Sequence, residues 1–225
     1  MNMKTAESIA GTLGFPSKMP GTSYGIPATA CHVGAKLAKV AGSVCSNCYA
    51  LKGRYVFGSV QQSQNTRLES LTSTAWVDAM VFMLRRAHGL DEEKRVHVKI
   101  QAGGAGWHRW HDSGDLQSLQ HLENIVEVCR RTPEIRHWLP TREAGVVLQW
   151  RKKNEGSSFP FNLCIRVSAT MIDGGFSKAF TNTSTVHKNA IPDGHVCPAP
   201  SQNNSCKNCR ACWNTKISNV SYHVH

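Results

Sequence analysis

Hydrophobic positions along this chain change their period several times, and each change marks an element. Across "STAWVDAMVFMLRRAHG", Trp76, Met80, Phe82, Met83 and Leu84 supply the apolar face of a helix, with Ser73 placed to cap it and Gly89 to stop it. The next stretch, "RVHVKIQ" (95–101), alternates Val96, Val98 and Ile100 with polar residues, which predicts a strand. Helical spacing returns in "LQSLQHLENIVEVCRRTP", where Leu116, Leu119, Leu122, Ile125, Val126 and Cys129 keep one face and Pro133 closes the run. "IRHWLP" (135–140) reads as a strand, "GVVLQWRKK" as a helix and "NLCIRVSA" (162–169) as a strand. "STVHK" is a short strand, and the final "ISNVSYHVH" alternates like one through His225.

Strand, helix, strand, helix, strand is the signature of βαβ units on a parallel sheet. The expected class is therefore α/β, as an open sheet or a partial (β/α) barrel. Residues 1–30 are rich in Gly, Pro, Ser and Thr, which predicts an extended, turn-rich lead-in. One domain is expected over 1–225: a cysteine-containing lead-in at 1–60, a β/α core at 61–190, and a cysteine-rich C-terminal segment at 191–225.

Composition narrows the classes. With 40% hydrophobic and 18% charged residues the balance is globular, so disorder is not expected. No apolar run approaches the ~20 residues of a membrane helix, and "MNMKTAESIAGTLGF" has no apolar signal core. No membrane partner is expected, and the cytoplasm is the expected compartment. There the nine cysteines point to metal rather than to disulfides. The net charge of +11 favours a polyanionic partner, a nucleic acid or a nucleotide, and the alternative to an enzyme is a cluster- or zinc-stabilised protein whose basic surface binds nucleic acid or a host protein.

Two of the cysteines, Cys129 and Cys164, stand alone in apolar surroundings and read as core residues. The other seven form a front group, Cys31, Cys45 and Cys48, and a rear group, Cys197, Cys206, Cys209 and Cys212. In the front group a C-x2-C pair sets two sulfurs on one side of a loop, and Cys31 can fold back as a third ligand. Three thiolates leave one position of a four-iron cube open, whereas a zinc knuckle would need a fourth ligand such as His32. In the rear group the run C-x2-C-x2-C is that of ferredoxin-type loops, which points to [4Fe–4S] ahead of zinc. One cluster or two fit these spacings. A dithiol redox pair at Cys45 and Cys48 is the weakest of the alternatives, because no thioredoxin-like context surrounds it.

The polar knot "RWHDSGDLQ" offers His111, Asp112, Ser113 and Asp115 at the start of a helix, either as a ligand site or simply as its cap. "WLPTRE" puts Thr141, Arg142 and Glu143 at the end of a strand, and "CIRVSAT" does the same for Ser168 and Thr170, with Arg166 on the face of Ser168. Ligands of parallel sheets bind at such carboxyl ends, and an arginine there can grip a carboxylate with two hydrogen bonds. His223 and His225 share a strand face and could ligate metal, although solvated side chains are the simpler expectation. Trp213, next to Cys212, is placed to shield a cluster from water.

"KMPGTSYGIPATAC", "GSVCSNCYALKGRY", "RWHDSGDLQ", "HWLPTRE" and "CRACWNTKISNVSYHVH" resemble the phage "gene product 88" family over nearly the whole chain. More distantly, the loop ending in "CSNCYA" and the "SGD" word look like radical S-adenosylmethionine (SAM) enzymes. That resemblance implies a partial (β/α) barrel with a [4Fe–4S] cluster at its mouth. The cluster would be held by Cys31, Cys45 and Cys48, with SAM contacted by Ser113, Gly114 and Asp115. His111, Arg142 and Arg166 are further candidates for cofactor contacts. The usual C-x3-C-x2-C spacing is here stretched, with thirteen residues between Cys31 and Cys45, and the aromatic Tyr49 follows the last cysteine.

Overall fold

Amphipathic helices need an apolar surface to cover, and here that surface is one face of a parallel sheet. The computed structural model describes residues 1–224; the expected last-strand residue and possible ligand His225 lies outside the described residues. The elements are α1 (Met3–Ala10), β1 (Thr22–Tyr24), α2 (His32–Leu37), α3 (Gly58–Ser70), α4 (Trp76–Ala87), β2 (Trp107–Trp110), α5 (Leu119–Arg131), β3 (Arg136–Thr141), α6 (Ala144–Lys153), β4 (Leu163–Ile172), β5 (Thr183–His187), β6 (His195–Val196) and β7 (Asn219–His223). Among the described residues the seven strands form one all-parallel sheet in the order β1-β2-β3-β4-β5-β7-β6. Strands β1 to β5 lie side by side in chain order, so the sheet winds in one direction. It stays open, with β1 and β6 at its edges.

Alternation along the strands sorts side chains between two layers. Tyr24, Trp110, Leu139, Leu163 and Val167 face a core shared with Ala6, Met80, Leu84, Ile125 and Trp150 of the helices. Trp138 and Val220 face a second, smaller core with Met19, Ala211, Cys212 and Trp213. The helices thus cover one face, and the C-terminal segment covers part of the other. No described helix is long and apolar enough to cross a membrane.

The structure corrects several local expectations. Residues 95–101 are not a strand. Val98 is 91% exposed, and the only pairing there is an isolated bridge between His88 and Val96. The alternation that suggested a strand belongs to a loop, and only Ile100 of its apolar side chains is buried. The sheet strand is β2, whose word "WHRW" does not alternate apolar with polar residues and so lacks the period-two signal. The lead-in is not merely extended. Asn2 caps α1, accepting a hydrogen bond from the Thr5 amide, and α1 buries Ala6 and Ala10. Strand β1 then pairs with β2. Neither Ser113 nor Asp115 caps α5; Ser118 does, its hydroxyl accepting from the His121 amide at 3.1 Å. Helix α3 has almost no apolar face and is held by polar contacts. Arg67 Nε donates to Thr12 O at 2.8 Å and its Nη1 to Gly25 O at 3.0 Å. The sheet draws strands from the lead-in, the central stretch and the C-terminal segment alike.

Candidate metal centre

The front cysteines lie where β2 and β3 end. Cys31 directly precedes α2, and the carboxylate of Glu143, at the start of α6, ties that helix start down. Glu143 Oε1 accepts from the amides of His32 (3.2 Å) and Val33 (2.8 Å). Cys45 and Cys48 lie on and just after a 3-10 turn at Val44–Asn47, where Ser43 accepts from the Ser46 amide. The bridge of Ser43 with Met171 and the bond from Ile172 N to Gly42 O pin this loop to the end of β4. Distant stretches of chain therefore meet at one end of the sheet.

Gly34 shows how close the thiols come. A Cβ built there would lie 3.5 Å from Cys31 Sγ and 3.6 Å from Cys45 Sγ, and it would press on Cys31 Cβ at 3.0 Å. The missing side chain keeps the space between the two sulfurs open. Electrostatics tell the same story. Burial pushes the Cys31 thiol up to about 12, and Asp115, Cys48, Cys45 and Glu143 add to the rise. Burial also raises Cys45, with Arg142 pulling the other way. Such thiols keep their protons unless a cation displaces them.

The rear cysteines gather over the other face of the sheet. Cys212 is buried, and Cys197, Cys206 and Cys209 pack against the same core as Trp138 and Trp213. Cys206 N donates to Lys18 O and Cys197 N to Ser221 O, so the group is anchored beside both β1 and β7. Cys209 Sγ lies 3.6 Å from His195 Nε2, and Cys212 Sγ lies 3.1 Å from the Tyr222 hydroxyl. Burial pushes Cys212 up to about 12, against the pull of Tyr222 and Arg166, with Cys197 and Cys206 raising it further. Trp213 packs edge-on to Trp107 and Trp138 and donates its indole N–H to His108 O, closing the side of the group that faces the sheet. All nine cysteines are free thiols. Cys129 and Cys164 are core residues, 0% and 1% exposed.

Among the described residues, no three His, Cys, Asp or Glu side chains close on one point as a single metal ion requires. A tetrahedral zinc site needs sulfurs about 3.8 Å apart. A cube of four irons spreads its ligands more widely, because each sulfur sits on a different iron.

The other candidate residues sit beside these groups, but several are already engaged. Ser113 is buried; its hydroxyl donates to Ile26 O at 2.6 Å and accepts from Gln64 Nε2 at 2.7 Å. Gly114 has φ +75°, and a Cβ there would fall 2.7 Å from Ile26 O, so only glycine allows this approach. Asp115 Oδ1 accepts from Thr141 Oγ1 (2.6 Å) and Leu116 N (2.8 Å), and Oδ2 accepts from Arg142 N (2.8 Å). Burial pushes Asp115 up to about 6, against the lowering effect of those bonds. The "SGD" word thus locks the β2 turn to β1 and β3, a structural use in place of the open contacts its resemblance implied. Arg166 is 0% exposed and spends its guanidinium on five backbone carbonyls, those of Thr183, Ala211, Cys212, Asn214 and Ser218. It is a clamp on the rear segment, with no donor free for a ligand. Arg142 remains beside Cys45, its Nε buried without a partner. His111, at φ +53°, is buried with neither ring nitrogen bonded and its ring 5.3 Å from that of His121.

Two contributors carry no motif in the sequence, and a third has a motif that does not show its partner. Gly34 looks like an ordinary helical glycine, although its place three residues after Cys31 puts it on the same side of the turn. Arg109, inside "WHRW", shares a strand face with Trp107. Its guanidinium stacks 4.6 Å over Trp138 and reaches the Tyr49 hydroxyl at 3.1 Å, lying between the two cysteine groups. Glu143 was expected at a strand end, but nothing in the sequence tied it to the amides that open α2.

The fold and site define a class: an open parallel α/β protein that gathers two groups of free thiols on one sheet. Within that class the chain belongs to the gene product 88 family, which it matches over residues 2–215. No curated protein and no solved structure matches it.

Proposed function

We propose that this phage-family protein is an iron–sulfur protein, with a [4Fe–4S] cluster at Cys31, Cys45 and Cys48 and a second thiolate-held centre at the rear group. The observation that carries the proposal is the cradle at Gly34, where thiols from separate stretches face an open space beside Arg142. Free thiols held together with raised proton affinity are the donor set a thiophilic metal deprotonates. Among the described residues no three ligands close on one point, so the proposal rests on the approach of Cys31 and Cys45 across Gly34 and on the cysteine spacing.

A bound cluster would supply one-electron chemistry. The chain's own part is to hold and insulate it. Glu143 fixes the start of α2, and Arg142 offsets thiolate charge. At the rear, Trp138 and Trp213 exclude water and Arg166 holds the main chain around Cys212. Three ligands at the front leave one metal position for something other than cysteine.

The finer reading, SAM-dependent radical chemistry on a partial barrel, rests on resemblance alone. Ser113 and Asp115 have their side-chain polar atoms engaged inside the protein, so these side chains do not fit as free SAM contacts. A zinc-stabilised rear site is the second reading, favoured by His195 beside Cys209.

Anaerobic purification followed by iron, zinc and acid-labile sulfide analysis decides among these. The expected result is a coloured protein with about four irons per cluster and matching sulfide. Replacing Cys31, Cys45 and Cys48 together by alanine should remove the front share and leave the rear. A colourless protein carrying only zinc would overturn the iron reading.

A further inference from the structure

The loop that follows Cys48 carries an unusual surface. From Ser8 to Leu68 the chain contains no acidic residue, while Lys18, Lys36, Lys39, Lys52, Arg54 and Arg67 give six positive charges. Of these, Lys36, Lys39, Lys52 and Arg54 are exposed, and none forms an ion pair among the described residues. Cations without counter-charges over so long a stretch create a positive field that solvent only partly screens.

Within that field the word "YALKGRYVF" (49–57) interleaves rings with cations. Tyr49 is 43% exposed and Phe57 58% exposed, with Lys52 and Arg54 between them in sequence. The Tyr49 ring is fixed rather than loose. Its hydroxyl donates to Asp112 O at 2.5 Å and accepts from Arg109, and its ring meets Tyr55 edge-on at 5.6 Å. A held, outward aromatic face costs little entropy to use in binding.

We infer that this surface docks single-stranded nucleic acid, with phosphates on Lys52 and Arg54 and bases stacked on Tyr49 and Phe57, the exposed Lys36 and Lys39 adding to the positive charge of the same stretch. Charge complementarity selects a polyanion, and the interleaved rings select one that carries bases, since sequence-tolerant binders combine a basic track with stacking platforms. A duplex hides its base faces and cannot use the rings. The docking itself does not depend on the proposed cluster. Its consequence does: a base stacked on Tyr49 would lie one residue from Cys48 and so at the front centre.

The test is fluorescence anisotropy of the full-length protein, assayed for iron in the same preparation, with labelled oligo(dT), labelled oligo(U), a duplex of equal length and heparin as a polyanion without bases. Expected is binding of the single strands, tighter than the duplex, with affinity falling as salt rises. Lys52→Gln with Arg54→Gln should flatten the log–log salt slope by about 1.4, at about 0.7 for each phosphate left without its cation. Phe57→Ala should weaken the oligonucleotides about tenfold and leave heparin unchanged. Preference for oligo(dT) or oligo(U) would name DNA or RNA as the source. Equal weakening of heparin binding on Phe57→Ala, or no oligonucleotide binding at low salt by a protein with native circular dichroism, overturns the inference. Oligonucleotide binding by an iron-free preparation would support this surface while counting against the cluster; iron without binding would do the reverse.

Discussion

At the scale of single residues, the most informative position is one without a side chain. Gly34 lies inside α2, where alanine would normally be the better helix former by about 1 kcal/mol. Glycine there makes sense if the space beside Cys31 and Cys45 must stay open. Gly34→Ala sets the helix propensity gained against the 3.0 Å contact with Cys31 Cβ, so the metal-free protein is expected to change in stability by no more than about 1 kcal/mol, while iron bound at the front group falls sharply. Iron analysis beside a melting curve reads both. Undiminished iron in the variant would show that the cradle has no such use. Cysteine identity was legible in the sequence because C-x2-C spacing confines two sulfurs to one turn. Gly34 was not, because its value depends on Cys45, eleven residues on, folding back over it.

At the scale of elements, the C-terminal segment is held less by its own structure than by Arg166. Between β6 and β7 there is no helix beyond two short 3-10 turns, Ala199–Gln202 and Ala211–Trp213. The carbonyls of Ala211, Cys212, Asn214 and Ser218 converge on one guanidinium projecting from β4. Arg166→Met keeps the stem's bulk but removes the donors, leaving buried carbonyls unpaired. With each unpaired buried carbonyl costing about 1–3 kcal/mol, we expect a loss of at least about 3 kcal/mol in urea unfolding and fraying of 197–218 in hydrogen exchange, with α5 and α6 protected until global unfolding. A stability change below about 1 kcal/mol would mean the carbonyls find water instead. The sequence pattern placed Arg166 correctly on a strand face shared with Ser168, yet suggested a ligand contact. Alternation gives the face, but the partner is supplied by a stretch more than forty residues later. In the same way α4, α5 and α6 were readable from their periodicity, while α3 was not, since its hold comes from Arg67 reaching Thr12 and Gly25.

At the scale of the molecule, a buried histidine network makes the fold sensitive to acid. His88 Nδ1 accepts from the Gly106 amide, so its Nε2 carries the proton and donates to Thr22 Oγ1, which in turn donates to His108 Nδ1. His137 Nε2 donates to Thr132 Oγ1, whose own proton goes to Val128 O. His121 Nδ1 accepts from the Gln117 amide. These are neutral tautomers, and among the described residues no carboxylate bonds to any of them. Burial lowers His88 to about 4 and His121 and His137 to about 3, and takes His108 well below its ordinary value. A lowered histidine contributes stability that is whole above its unfolded value of about 6.5 and drains away as pH falls toward the folded one. The unfolding free energy from urea titrations should thus fall steeply between pH 7 and pH 5, by about 1–2 kcal/mol per histidine. A flat profile over that range would show that the rings find water on protonation.

The sequence by itself determined the α/β class, most of the helices and strands of the central stretch, the two cysteine groups and the positive charge. Each is set by local spacing or by summation, and neither needs a distant partner. Tertiary structure alone decided that β1 and β7 join the same sheet, that the "SGD" word is spent on internal hydrogen bonds, and that the front thiols meet across Gly34. Those outcomes depend on which surfaces are buried against which, a property of the packed chain that no single stretch carries.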